Sequence, residues 1–136
     1  MEDCKPMSIP MITSWKKLHA SERELVNPTL YRQLIGSLMY LVNSRPDLCF
    51  AVNTLSQFMV EPRRVHWIAA KHVLRYLAGT MDYGLDYKRS DGVILICFTD
   101  SYWAGSVADR KSTSGCCFSL GLATVSWFSR NKSLLL

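Results

Sequence analysis

The spacing of apolar residues changes along this chain, from a helical period in its first part to strand-like alternation from Val93 onward. The first strongly periodic segment predicts a helix over Pro28–Val42, which Asn27 caps. Its predicted buried face consists of leucines at helical spacing: Leu30, Leu34, Leu38 and Leu41. Gly36 and Ser37 within this helix would allow a neighbouring helix to approach closely.

Two further apolar stripes predict two more helices. The second helix runs from Asp47 to Met59, and its start fits either a capping box from Ser44 to Asp47 or a first helical residue at Pro46. The third runs from Arg63 to about Ala78, and Gly79 is expected to close it in a left-handed conformation. The residues predicted to be buried are Leu48, Ala51, Val52, Leu55, Phe58 and Met59 in the second helix, and Ala70, Val73, Leu74 and Leu77 in the third.

Strand signals dominate the remainder of the chain. The segment VILICF at 93–98 is apolar on both faces and predicts a strand that is buried from both sides. The segments CCFSLGL and TVSWFS predict two more strands, with a turn at residues 121–123. The predicted fold class is therefore α+β: about three helices, then a three-stranded antiparallel meander. The predicted domains are an extended linker at 1–26, a helical segment at 27–89 and the meander at 90–136.

Composition narrows the functional classes. The 136 residues carry a formal charge of +5, which suits a polyanionic partner or simply favours solubility. The five cysteines are odd in number and form no CxxC motif, so we expect reduced, buried thiols in the cytoplasm or nucleus. No apolar run is long enough to span a bilayer, and the first residues lack the apolar core of a secretory signal.

Basic residues on the third predicted helix form one candidate binding surface. Arg64, Lys71 and Arg75 are spaced by seven and four residues, which places them on one side of a helix. This stripe is either an ordinary solvated face or a surface that follows the phosphates of a nucleic acid. The same two interpretations apply to residues 1–26, as a surface linker or as a strap along a nucleic-acid backbone.

Asp100 is the candidate for chemistry. A single carboxylate at the end of an apolar strand, followed by a polar loop, is typical of a first magnesium ligand and also of an ordinary turn. The loop continues into RKSTSG, whose side chains could bind phosphate or ribose: Arg110, Lys111, Ser112, Thr113 and Ser114. An ordinary loop that leads into a strand is the alternative.

Longer stretches of the sequence resemble one known family. FTDSYWAGSVADRKSTSG at 98–115, together with SLGLATVSWFSRNK at 119–132, resembles the start of the ribonuclease H domain in copia-type retrotransposon Pol polyproteins. Residues 31–87 resemble the thumb or connection segment between reverse transcriptase and that domain, and CKPMSIPM at 4–11 resembles the beginning of that segment. The resemblance implies a truncated ribonuclease H-like fold and a chain whose natural partner is the rest of the Pol polyprotein.

The resemblance also implies a chemistry that this chain meets only in part. Ribonuclease H cleaves the RNA of an RNA–DNA hybrid with two Mg²⁺ ions, and Asp100 matches the first acid that binds them. The family's later acids, and the paired aspartates of the polymerase, match no residue of this chain. We therefore expect an inactive fragment that binds Mg²⁺ weakly. The alternatives are a non-catalytic module that binds RNA or hybrid, and a pseudogene-like product without function.

Overall fold

The computed structural model describes residues 4–12, 14, 24–89, 92, 94–102 and 112–132. Its helices are α1 (Pro28–Leu41), α2 (Cys49–Ser56) and α3 (Arg64–Gly79), and a short 3-10 helix (Pro46–Leu48) precedes α2. Its strands are β1 (Leu95–Tyr102), β2 (Ser112–Leu120) and β3 (Ala123–Lys132). The chain divides into two compact units, Met1–Tyr83 and Gly84–Leu136. The α+β prediction is confirmed.

Helix α1 begins as predicted, and its buried face overlaps the predicted one only in part. The Asn27 side chain accepts hydrogen bonds from the backbone N–H groups of Thr29 and Leu30, at 2.9 and 3.4 Å. The buried residues are Tyr31, Ile35 and Leu38, whereas Leu30 is 51% exposed. Of the predicted leucines, Leu38 is buried and Leu34 is partly buried against the core, whereas Leu41 is exposed like Leu30. Tyr31 takes an inward position, and its hydroxyl donates to the Leu55 carbonyl of α2 at 2.8 Å. No neighbouring helix among the described residues uses the room at Gly36, since that glycine is exposed with open space beside it.

The second and third helices follow the predicted stripes. Leu48, Val52 and Leu55 are buried, and so is Val73 of α3. Pro46 is the first residue of the 3-10 helix, and the Ser44 hydroxyl donates to the Leu41 carbonyl instead of forming a capping box.

The left-handed conformation expected at Gly79 is wrong. Gly79 is the last residue of α3, and a Cβ there would lie 2.7 Å from the Cβ of Pro6. A glycine is therefore needed at this position because a side chain would collide with Pro6, and not because φ is positive.

The three strands form an antiparallel meander in the order β1-β2-β3, as predicted. Leu95 lies opposite Leu120, and Gly121, with a φ of 62°, starts the two-residue turn between β2 and β3. The expected burial of β1 on both faces is wrong, because Leu95 is 62% and Phe98 is 60% exposed. Burial of the cysteines is wrong as well: Cys97 is exposed and the other four are only partly buried.

The hydrophobic core of the helical unit brings together residues from all three helices. Its fully buried side chains include Tyr31, Ile35, Leu38, Leu48, Val52, Leu55 and Val73. Among the described residues, no helix combines the length and apolar character that a membrane crossing would need.

Candidate functional site

Helix α3 carries the basic stripe, and its three members have different surroundings. Arg64 Nη1 lies 3.2 Å from a carboxylate oxygen of Glu24. The Lys71 ammonium lies 5.5 Å from the centre of the Trp67 ring, within the range of a cation–π contact. Arg64 and Lys71 are exposed and Arg75 is half-buried. Two of the three cations are therefore exposed to solvent, and one of them, Arg64, is already paired with Glu24.

The third cation, Arg75, holds an extended segment that we call the strap, residues 4–12. Arg75 Nε donates to the Lys5 carbonyl at 2.8 Å, and the Met7 N–H donates to the Arg75 carbonyl at 3.4 Å. His72 Nε2 lies 2.9 Å from the Ile9 carbonyl oxygen, and Pro6 packs against Gly79. The strap therefore binds along α3, and a contact with the protein's own backbone already uses the Nε–H of Arg75.

A partly buried polar cluster lies where the loop after α1 meets the end of α3. Arg45 forms a two-pronged ion pair with Asp47, at 3.0 and 2.7 Å, and also donates to the carbonyl and hydroxyl of Thr80. The Tyr76 hydroxyl donates to Asp47 at 2.8 Å. Desolvation raises the pKa of Asp47, but the hydrogen bonds from Arg45 and Tyr76 outweigh it and leave the pKa below its usual value.

This Arg45 cluster was missed by the sequence interpretation, which considered Asp47 only as a helix cap. The one local signal was an arginine two residues before an aspartate, around Pro46. Tyr76 and Thr80 come from much later in the chain, and no local sequence pattern predicts their contacts with Arg45 and Asp47. The Arg45, Asp47, Tyr76 and Thr80 side chains all form hydrogen bonds within the unit, so the cluster joins the loop after α1 to the end of α3.

His66 is buried at the start of α3. Its ring stacks on Phe58 with centroids 3.8 Å apart, and its Nδ1 accepts the Arg63 N–H at 3.0 Å. Desolvation, with a smaller contribution from the Arg63 charge, lowers the pKa of His66 to about 4. The ring is consequently neutral at physiological pH and acts as a packed helix cap.

Asp100 lies on β1, directly opposite Gly115 of β2, and is exposed. Because its partner position is a glycine, no side chain faces it across that pair. Within the described part of the chain, no three His, Cys, Asp or Glu residues come close enough to hold a metal ion. The two aspartates nearest to Asp100 in the sequence, Asp91 and Asp109, lie outside the described residues. The described groups therefore do not fit the paired magnesium site that the resemblance implies.

The RKSTSG segment is described only in part. Arg110 and Lys111 lie outside the described residues, as does the side chain of Ser112. Thr113 and Ser114 are consecutive residues of β2, so their side chains project from opposite faces of the sheet. These two side chains cannot bind one phosphate together from the same face.

Comparison with known proteins identifies the chain's relatives. It is 46% identical over 132 residues, 97% of its length, to the retrovirus-related Pol polyprotein from transposon RE2 of Arabidopsis thaliana. It is 42% identical, over the same share of its length, to the corresponding polyprotein from transposon RE1. The chain spans 9% of the length of each of these two relatives.

A shorter relative is matched over most of its own length. Secreted RxLR effector protein 161 of Plasmopara viticola is 47% identical over 103 residues, which are 75% of this chain and 72% of that protein. No family model matches the chain, and no solved structure does. The chain belongs to the family of retrovirus-related Pol polyproteins of transposons.

Proposed function

We propose that this chain is the part of a copia-type Pol polyprotein that joins reverse transcriptase to ribonuclease H, and that it is not catalytic by itself. In the parent polyprotein it supports RNA-directed DNA synthesis and cleavage of the RNA–DNA hybrid. Its likeness to Pol polyproteins over 97% of its length supports the first part of this proposal. The single observation that carries the second part is the position of Asp100, which faces a glycine on an exposed strand.

The chemistry of hybrid cleavage explains why one carboxylate is insufficient. Phosphodiester hydrolysis by two metal ions needs one ion at the attacking water and another at the leaving oxygen. Mg²⁺ prefers near-octahedral oxygen coordination and is commonly held by one or two carboxylates together with substrate phosphates. Asp100 would supply one oxygen ligand, and among the described residues no group of three His, Cys, Asp or Glu side chains could hold a metal ion with it.

A cleavage assay tests this proposal. The purified chain is incubated with a labelled RNA–DNA hybrid in Mg²⁺ or Mn²⁺, alongside the Asp100→Asn variant. We expect no cleavage by either protein. Cleavage by the original chain that the Asp100→Asn variant loses would refute the proposal, because it would mean that this carboxylate takes part in a complete metal site.

A second candidate function, hybrid or RNA binding without chemistry, is favoured by the exposure of Arg64 and Lys71 on α3. Cations that lie along one side of a helix suit the regularly spaced phosphates of a nucleic-acid backbone. The Trp67 ring beside Lys71 adds an aromatic surface at the same place. Arg75 contributes less in this interpretation, because its Nε–H is bonded to the strap.

Binding is tested by measuring affinity for a hybrid duplex across a range of salt concentrations. The double variant Arg64→Gln/Lys71→Gln is expected to bind about tenfold more weakly and to lower the salt slope by about two. The matched control is Lys88→Gln/Arg89→Gln, which removes the same charge from another segment. Equal losses in both double variants would indicate a general charge effect and exclude α3 as the binding surface.

A further inference from the structure

Two cysteines from neighbouring strands meet on one face of the sheet. Cys97 of β1 lies opposite Phe118, and Cys116 of β2 lies opposite Thr99, so the two cysteines are diagonal neighbours. Their sulfur atoms are 3.4 Å apart. Cys97 is exposed and Cys116 is partly buried, which leaves the pair accessible to small reagents from solution.

We propose that Cys97 and Cys116 form a dithiol site that is oxidised reversibly to an intramolecular disulfide by a small disulfide such as glutathione disulfide. The thiolate of Cys97 attacks one glutathione sulfur and releases one glutathione thiolate. The Cys116 thiolate then attacks the Cys97 sulfur of the mixed disulfide and releases the second glutathione. The protein loses two hydrogens, and one glutathione disulfide becomes two glutathione thiols.

The reaction requires rotation of both side chains and a small approach of the two strands, because diagonal neighbours on a sheet lie about 7 to 8 Å apart at Cα, whereas a disulfide usually spans about 4.4 to 6.8 Å. A disulfide bond is about 2.0 Å long, so the sulfurs, at 3.4 Å, have to approach each other further. Desolvation, followed by the contact with Cys97, raises the pKa of the Cys116 thiol. The exposed Cys97 is therefore the group that small reagents reach first, and proximity gives Cys116 the second step.

The adjacent cysteine provides a natural control. Cys117 follows Cys116 in β2, so its side chain projects from the other face of the sheet. Its sulfur lies 3.8 Å from the hydroxyl oxygen of Thr124. Two consecutive residues with the same functional group therefore differ in their access to Cys97, and only one of them is expected to react with it.

The experiment maps the bond in the full chain. The reduced protein is equilibrated in glutathione buffers of increasing oxidation, free thiols are alkylated, and trypsin releases residues 90–110, which carry Cys97, and residues 112–130, which carry Cys116 and Cys117. In the monomer band of a non-reducing gel, we expect these peptides to be linked and two of the five thiols to escape alkylation. Reduction should restore both thiols.

Variants decide which sulfur takes part. Cys117→Ser should keep the linked peptides, whereas Cys97→Ser and Cys116→Ser should lose them. The proposal is overturned if Cys117→Ser abolishes the link, if the link occurs only in a dimer band, or if oxidation yields glutathione adducts without a link. The original chain alone already tests the last two outcomes, so the proposal stays falsifiable even if a serine variant fails to fold. The proposal does not depend on the proposed nucleic-acid function.

Discussion

The helical unit and the sheet unit of this chain are stabilised in different ways. In the helical unit, Leu48, Leu55 and Val73 are completely buried, and a polar cluster around Arg45 closes one end. In the sheet unit, Ala123 is the single buried apolar residue among those described. Its strands are nevertheless paired antiparallel along their lengths, with one shift of register between β2 and β3 at Phe118/Ser119.

This difference shows that a sequence can specify regular secondary structure without also forming a buried core. Alternation and turn residues are enough to set the register of three strands. Burial requires a second layer, and Phe98 and Leu95 remain exposed although they are as apolar as the core leucines of the helices. Side chains of this kind on a sheet surface favour association with other apolar surfaces.

The largest expected effect comes from emptying the helical core. Leu55→Ala should lower the free energy of unfolding of the helical unit by about 3 kcal/mol, because it leaves a cavity where the side chain is fully buried. Phe98→Ala, at a side chain that is 60% exposed, should cost the sheet less than about 1 kcal/mol. Hydrogen exchange of peptides from each unit measures both values. Similar losses at the two positions would contradict the contrast between the units.

The Arg45 cluster gives the next largest effect. Asp47→Asn removes the charge that pairs with the largely buried Arg45, so we expect a loss of about 2 kcal/mol in urea unfolding followed by circular dichroism. The matched control is Glu61→Gln, which breaks the exposed ion pair with Arg63 and should cost less than about 0.5 kcal/mol. If both variants lose the same stability, the cluster is no more important than a surface pair.

The helical unit should also lose stability in mild acid because of His66. Its pKa is about 4 in the folded chain, below the ordinary value of 6.5, so the unfolded chain binds more protons between these values. Stability therefore rises with pH from about 4 to 6.5 and then levels, by roughly 2 to 3 kcal/mol. His66→Gln, which can still accept the Arg63 N–H, should flatten this part of the profile in urea titrations. A profile unchanged by the substitution would assign the effect to other groups.

Two glycines in helices offer the finest test, since the same substitution should have opposite results. Gly36→Ala, on the open side of α1, should stabilise the chain by about 0.5 to 1 kcal/mol. Gly79→Ala should displace the strap, because the new Cβ would meet Pro6 at 2.7 Å. Faster hydrogen exchange at Met7 in the Gly79→Ala variant, with no change in Gly36→Ala, is the expected pattern. Protection of Met7 in both variants would mean that the strap tolerates the added methyl group.

Local signals in the sequence predicted the elements well and their surroundings less well. Asn27 and Pro28 correctly mark the start of α1, and Gly121 marks the turn between β2 and β3, because caps and turns depend on neighbouring residues. The buried face of α1 was right at Leu38 but missed Tyr31, whose hydroxyl finds its acceptor in α2. The predicted burial of β1 was wrong because apolar residues on both faces of a strand favour burial, but burial also needs other residues that pack against those faces.

In the candidate site, too, local spacing was predictable from the sequence and long-range contacts were not. The spacing of Arg64, Lys71 and Arg75 correctly placed them on one helix, but the bond between Arg75 and the Lys5 carbonyl spans 70 residues and has no local signature. The Arg45 cluster likewise joins Asp47 to Thr80 through contacts that no spacing rule describes. The roles proposed for Asp100 and the RKSTSG segment stay predictions.

The strap has a consequence for the order in which the protein is made and folded. Lys5 leaves the ribosome well before Arg75, its hydrogen-bonding partner 70 positions later. At ordinary rates of translation, roughly ten seconds separate the two. During that interval the strap has been synthesised but α3 has not. The strap therefore has no surface to bind and is among the last segments to fold.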